Sequence, residues 1–148
     1  MDGTRHKSVL WQEALDGLRL SPGDTVIDAT LGGGGHTLLF RSAVGETGRI
    51  MALDMDQVAI DRFFLRAKDD ADISADLTTG RLSIVHANFS DIGLVAEEAG
   101  LTSVDAIFAD LGYSSDQIEE GARGLSFSKD GPLDMRLDRS SGETAAHI

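Results

Sequence analysis

Residues 110–136 concentrate the side chains best equipped for chemistry. They begin Asp110-Leu111-Gly112-Tyr113-Ser114-Ser115-Asp116-Gln117 and close on Arg123-Gly124-Leu125-Ser126-Phe127-Ser128-Lys129-Asp130-Gly131-Pro132-Leu133-Asp134-Met135-Arg136. The run is dense in Gly, Ser, Asp and Arg and follows an apolar, strand-like segment. It reads as an active-site loop, placed where an open α/β sheet has its ligand crevice, outside the carboxyl ends of the strands.

A second group lies upstream. Gly32, Gly33, Gly34 and Gly35 stand in a row between a β-branched run and a helical stretch. Such a turn lets the backbone approach a ligand closely and aims helix N-terminal amides at it. The dinucleotide pattern G-x-G-x-x-G fails, because its last position falls on Thr37 or Leu38, and no Lys-Ser or Lys-Thr pair follows to make a phosphate loop. NAD, FAD and phosphoryl transfer are therefore disfavoured, and an adenosine without a pyrophosphate remains. Asp54, twenty residues after Gly34, has the spacing of an acid that accepts hydrogen bonds from ribose hydroxyls, and Asp28 precedes the turn.

The elements that must position these groups alternate. A helix is expected over 8–18 with Ser8 as its cap, strands over 25–29, 49–53, 81–86 and 104–109, and helices over 37–44, 57–68 and 90–99, the last capped by Ser90. The acidic, small-residue stretch 69–80 reads as a solvated loop. Strand-helix alternation implies a parallel sheet with right-handed crossovers, half of a doubly wound α/β fold, with the glycine turn at its switch point. No fifth strand is evident after Ala109, so the sheet is expected to stop after about four strands. The strand over 104–109 is then an uncovered apolar edge and a candidate for self-association.

At 148 residues and 41% hydrophobic content the chain suits one domain or part of one. It has no cysteine, which excludes disulfides and thiolate metal sites and is compatible with a cytoplasmic setting. No stretch approaches a membrane span or a secretion signal. The net charge of −12 repels polyanions at long range, so a nucleic-acid partner has to be engaged by local basic groups or by protein outside this chain.

The turn and its two acids resemble the S-adenosylmethionine site of class I, Rossmann-like methyltransferases. Asp28, Gly32 and Gly34 match that pattern, while Thr30 stands where many members carry the first glycine. More specifically, residues 6–146 closely resemble the N-terminal half of the bacterial family that methylates the exocyclic N4 of a cytidine in 16S RNA of the small ribosomal subunit. The resemblance rests on Asp28-Ala29-Thr30-Leu31-Gly32-Gly33-Gly34-Gly35-His36-Thr37, Ala52-Leu53-Asp54-Met55-Asp56, Asn88-Phe89-Ser90 and the loop ending at Met135. It implies that Gly34, Gly35 and His36 meet the methionine end of S-adenosylmethionine, Asp54 the ribose and Phe89 the adenine. Asp110 and Gln117 would complete the cofactor contacts, with Asp110 nearest the methyl group and able to accept a hydrogen from the target amine.

Each assignment has a plainer alternative. His36 reads equally as a helix cap, Phe89 as core, and Asp110 as a loop cap. Arg123, Lys129 and Arg136 could grip RNA phosphates, or the two arginines could pair with Asp130 or Asp134. Phe127, Leu133 and Met135 read as anchors of the loop on the core. Tyr113 occupies a position where the family suggests a small aliphatic residue; an aromatic ring there could stack on a base swung out of its helix. The resemblance further implies that residues 1–143 are part of the methyltransferase domain and that 144–148 open an inserted helical domain. No metal is expected. A non-catalytic module that binds S-adenosylmethionine or adenosine is the alternative of a different class.

Overall fold

The computed structural model describes residues 10–148; the expected cap Ser8 lies outside them. The chain divides into two units, one running to Asp110 and the other comprising Leu111–Ile148.

The first unit is a four-stranded, wholly parallel sheet in the order β3-β2-β1-β4, formed by β1 (Thr25–Asp28), β2 (Arg49–Asp54), β3 (Leu82–His86) and β4 (Ala106–Phe108). α1 (Trp11–Leu18) precedes β1, and the helices between the strands are α2 (Gly35–Val44), α3 (Gln57–Ala67), α4 (Ala71–Thr79) and α5 (Ile92–Glu98). β1 and β2 are the central strands, and from Val26 to Asp28 and from Ile50 to Leu53 every residue is buried. That is the pattern of parallel strands covered on both faces.

Alternate residues feed two cores, as the period of two in a strand requires. Val26, Ile50, Ala52 and Leu82 join Leu31, Phe40, Val44, Ile60, Phe63 and Ile73 in the larger. Ile27, Met51 and Leu53 meet Val95 of α5 in the smaller. The chain steps outward from β1 to β2 to β3 and then returns to the other side of β1 to make β4. The sheet's switch point therefore lies between β1 and β4, at the turn that leads into α2.

Two local expectations are corrected. Residues 71–79 form α4 rather than a loop: the Asp70 carboxylate accepts the N–H groups of Asp72 and Ile73 at one end, and Gly80, at φ 74°, stops the helix at the other. Ile73 is buried and Leu77 packs against the core, so two apolar positions four residues apart suffice to seat a helix of otherwise polar composition. Ser90 is not the cap of the helix after β3. The Asn88 side chain accepts the Ser90 N–H and starts a single 3-10 turn, Phe89–Asp91, which runs into α5. β4 is shorter than expected, with three residues paired to β1 and no strand beyond it among the described residues; Ile107 in it is half exposed.

α4 is further held by charge. Asp76 is buried, accepting from Arg41 Nε of α2 on Oδ2, and its Oδ1 lies 2.8 Å from Arg81 Nη1 at the entry to β3. Truncating one member of a buried ionic cluster leaves its partners uncompensated, at a cost of about 3 kcal/mol. Asp76→Ala is thus expected to lose about that much stability in urea unfolding followed by circular dichroism, whereas Asp72→Ala on the exposed face of α4 should change it by less than about 1 kcal/mol.

Candidate cofactor site

The turn after β1 is held at successive main-chain donors. The Ala29 N–H donates to the Phe108 carbonyl of β4 (2.8 Å) and the Leu31 N–H to the Leu53 carbonyl of β2 (2.7 Å). Between and after them, the Thr30 N–H goes to Asp28 Oδ1 (3.1 Å) and the Gly32 N–H to Asp54 Oδ2 (2.8 Å). The turn is thereby tied to both strands that flank β1.

Gly32 and Gly34 sit at φ 49° and 74°. At Gly34 a side chain is excluded twice, by the left-handed backbone and because a Cβ would overlap the Phe63 ring of α3. Arg66, one turn on, places its guanidinium 5.8 Å from the centre of that ring. Neither Phe63 nor Arg66 was distinguished from an ordinary helical face in the sequence; their spacing of three on α3 is the only signal.

Asp28 lies beneath the turn, fully buried, with Oδ2 accepting the Thr37 hydroxyl at 2.6 Å. It therefore holds the turn to α2 and presents nothing to a ligand, which replaces its expected cofactor contact by a supporting one. Asp54, partly exposed, has both oxygens oriented from behind by main-chain donors, Oδ2 by Gly32 and Oδ1 by the Asp56 N–H (2.8 Å). Burial raises its carboxyl above the ordinary range, against those two hydrogen bonds.

His36, in the first turn of α2, is nearly buried, its ring centroid 4.6 Å from that of Phe108. Its Nδ1 lies 3.9 Å from Asp110 Oδ2. Asp110 follows β4 with an exposed side chain, and its N–H donates to Thr30 Oγ1 at 2.7 Å. Phe89 is half exposed in the 3-10 turn after β3, which argues against a core role. The segment leading to it is tied to β2 by the Ala87 N–H on the Asp54 carbonyl (3.0 Å). Phe89, Asp54, the glycine turn, His36 and Asp110 thus all follow the carboxyl ends of adjacent strands.

The second unit has its own organisation. Ser114 and Gln117 close a capping box at the start of α6 (Ser115–Glu119): the Gln117 N–H donates to Ser114 Oγ, and Gln117 Oε1 accepts the Ser114 N–H at 2.9 Å. Tyr113 is exposed. Arg123 is buried, its Nε 2.7 Å from Glu120 Oε2 and its Nη1 3.4 Å from the Leu137 carbonyl. Its burial and its pairing with Glu120 correct the expected grip of Arg123 on RNA phosphate. Gly124, at φ 69°, lies where a Cβ would overlap the Pro132 carbonyl, so two stretches of this loop meet backbone to backbone.

Arg136 does pair with Asp134, in the two-pronged arrangement of Nε on Oδ1 (2.7 Å) and Nη2 on Oδ2 (3.0 Å). Those bonds hold the Asp134 carboxyl down at about 2. Lys129 is exposed and donates from Nζ to the Glu119 carbonyl at 2.6 Å. Phe127 is fully exposed, and Leu133 and Met135 largely so, contrary to their expected role as anchors. No group of metal-ligating side chains occurs among the described residues, and no helix there is long and apolar enough to cross a membrane.

Burial is the main cause that pushes the Asp28 carboxyl from 3.8 up to about 6, with the charges of Asp54 and Asp110 adding to it and the Thr37 and Thr30 hydrogen bonds opposing it. A carboxyl raised in the folded state holds its proton longer there than in the unfolded chain, so its contribution favours folding below pH 4 and is lost as pH rises through 6. A rise of that size corresponds to at most about 3 kcal/mol. Asp28→Asn, which keeps an acceptor for the Thr30 N–H and can donate from Nδ2 to the Thr37 hydroxyl, is expected to match the parent in denaturant unfolding at pH 4 and to exceed its stability by up to that amount at pH 8; equal stabilities at pH 8 would refute the assignment.

Among solved structures, the C-terminal domain of precorrin-6Y C5,15-methyltransferase from Rhodobacter capsulatus is similar at 21% identity and a TM-score of 0.51, over 78% of this chain and 55% of that one. A protein from Clostridium thermocellum described as an rRNA methylase gives 26% identity and a TM-score of 0.47, over 56% of this chain and 44% of that one. A SAM-dependent methyltransferase from Aquifex aeolicus gives 20% identity and a TM-score of 0.44, over 59% and 43%. The first of these shows the Rossmann-like methyltransferase fold; the chain spans about half the length of the structures it matches. The model of the MraW methylase family matches residues 3–148, and with that span, the glycine turn and its two acids included, the chain belongs to the MraW methylase family.

Proposed function

We propose that the chain carries the cofactor half of an S-adenosylmethionine-dependent methyltransferase whose target is the exocyclic N4 of a cytidine in 16S RNA of the small ribosomal subunit. The observation that carries it is the Asp54 carboxylate, oriented from behind by the Gly32 and Asp56 amides at the end of a central strand. The family is one of methylases, which makes S-adenosylmethionine the cofactor, and the residues present suit it. A turn stripped of side chains admits the backbone close to a ligand, and a carboxylate with its orientation already fixed can accept two ribose hydroxyls at little entropic cost.

When bound, the cofactor supplies an electrophilic methyl group on a sulfonium. Asp54 holds the ribose, Phe89 flanks the adenine, and Gly34, Gly35 and His36 hold the methionine end. Asp110 accepts a hydrogen from the cytosine amine, whose lone pair is otherwise delocalised into the ring, and so frees that pair for attack. No strong base is needed, because the leaving group is good and the main requirement is alignment. Tyr113 stacks on the unpaired base and Lys129 faces RNA phosphate, while Arg136, paired with Asp134, holds the loop. The reaction takes place in the cytoplasm.

Calorimetric titration of S-adenosylmethionine into the chain is expected to show one saturable site, weakened about a hundredfold in Asp54→Ala as two charge-assisted hydrogen bonds are lost. Absence of binding by the folded parent would sink the cofactor assignment. Transfer of labelled methyl to small ribosomal subunits then separates a methyltransferase from a module that only binds the cofactor. The open edge of β4 is also a surface for self-association; Ile107→Lys is expected to shift the chain toward monomer in sedimentation velocity.

A further inference from the structure

Along β4, the main-chain ladder to β1 ends where the Phe108 carbonyl accepts the Ala29 N–H. Two residues beyond that carbonyl, past the end of β4, comes the Asp110 N–H, and by then the chain leaving β1 is already turning toward α2. The Asp110 N–H is received by the Thr30 hydroxyl at 2.7 Å. Thr30 is in turn fixed by its own N–H on Oδ1 of the buried Asp28.

We propose that Thr30 is a positioning residue that registers Asp110 at the cofactor site, its hydroxyl standing in for the main-chain acceptor that the diverging β1 turn can no longer supply. Two features make the need specific. β4 is an edge strand with three paired residues, and the Asp110 side chain is more than half exposed, so packing alone does not fix it. The His36 Nδ1 lies 3.9 Å from its carboxylate, too long for a hydrogen bond. The Thr30 hydroxyl ties the turn by a side chain to the residue that follows β4, beside the main-chain bond from Ala29 to Phe108. The glycine common at this position in class I methyltransferases could not provide it. The effect on the cofactor rests on the reading of Asp110 given above, whereas the effect on the Asp110 amide does not.

The test uses the 148-residue chain as parent, Thr30→Val, which keeps the shape and removes the acceptor, and Thr30→Ser, which keeps the hydroxyl. Amide exchange is followed by nuclear magnetic resonance, and S-adenosylmethionine and S-adenosylhomocysteine are each titrated calorimetrically. Thr30→Val is expected to speed exchange of the Asp110 amide about fivefold or more, with the Ile27 and Met51 amides of the central strands unchanged. It should weaken S-adenosylmethionine by about fivefold while S-adenosylhomocysteine, which lacks the sulfonium charge that Asp110 would face, binds nearly as before; Thr30→Ser should restore both readouts to within about twofold. A general loosening of the fold would move the central amides and both ligands together, and that result overturns the proposal. So does an unchanged Asp110 amide in Thr30→Val, or a serine variant that behaves like valine. If the parent binds neither ligand, the cofactor reading fails by itself and the exchange comparison alone decides whether Thr30 holds Asp110.

Discussion

A chain that leaves the middle strand of a parallel sheet must cross the ends of its neighbours before it can become a helix, and its main-chain donors there have no regular partner. Here each donor from Ala29 to Gly32 is met, alternately by a carbonyl of a flanking strand and by a carboxylate. The two carboxylates differ in what surrounds them. Asp28 is sealed under the turn and spends its oxygens on Thr30 and Thr37, whereas Asp54 stands at the rim, aligned by the amides it accepts. One stiffens the loop and the other is left facing outward, so a single turn supplies both scaffold and binding group.

The second unit uses its charges differently. Arg123 and Arg136, the basic groups that stand out in the sequence, are engaged within the loop by Glu120 and Asp134. What remains outward is apolar or uncharged for the most part, with Phe127, Leu133, Tyr113 and Ile118 all substantially exposed. A surface of that kind suits stacking and contact with a further layer of protein or RNA better than long-range attraction, in keeping with a net charge of −12.

The strands were legible because each is a short apolar run bounded by Gly, Asp or Pro, and their order followed from strand-helix alternation. α4 was hidden by composition: Asp70, Asp72 and Asp76 look like a solvated loop until Asp70 is seen as a cap and Asp76 as the partner of two arginines on other elements. Such pairing crosses long stretches of sequence and leaves no local trace. Within the site, glycine spacing and the acids that follow strands could be read directly, but whether an acid is buried could not, and this is what divides Asp28 from Asp54. Thr30 escaped notice for a related reason. Position 30 is defined in the sequence by the glycine it lacks, and the use of its hydroxyl emerges only when β4 is set beside β1.

The sheet is unevenly secured across the site. β2 and β3 share five registered pairs and β1 and β2 four, but β4 is joined to β1 by three and has nothing beyond it among the described residues. In the hierarchy of partial unfolding such a strand detaches first, ahead of the central pair. Asp54 and the glycine turn belong to the part that survives that detachment; Asp110 belongs to the part that leaves. The molecule can therefore pass through a state in which the ribose end of its site is fully built while the end nearest the methyl has come apart, and a ligand that touches both ends closes that state by mass action rather than by any new contact within the protein.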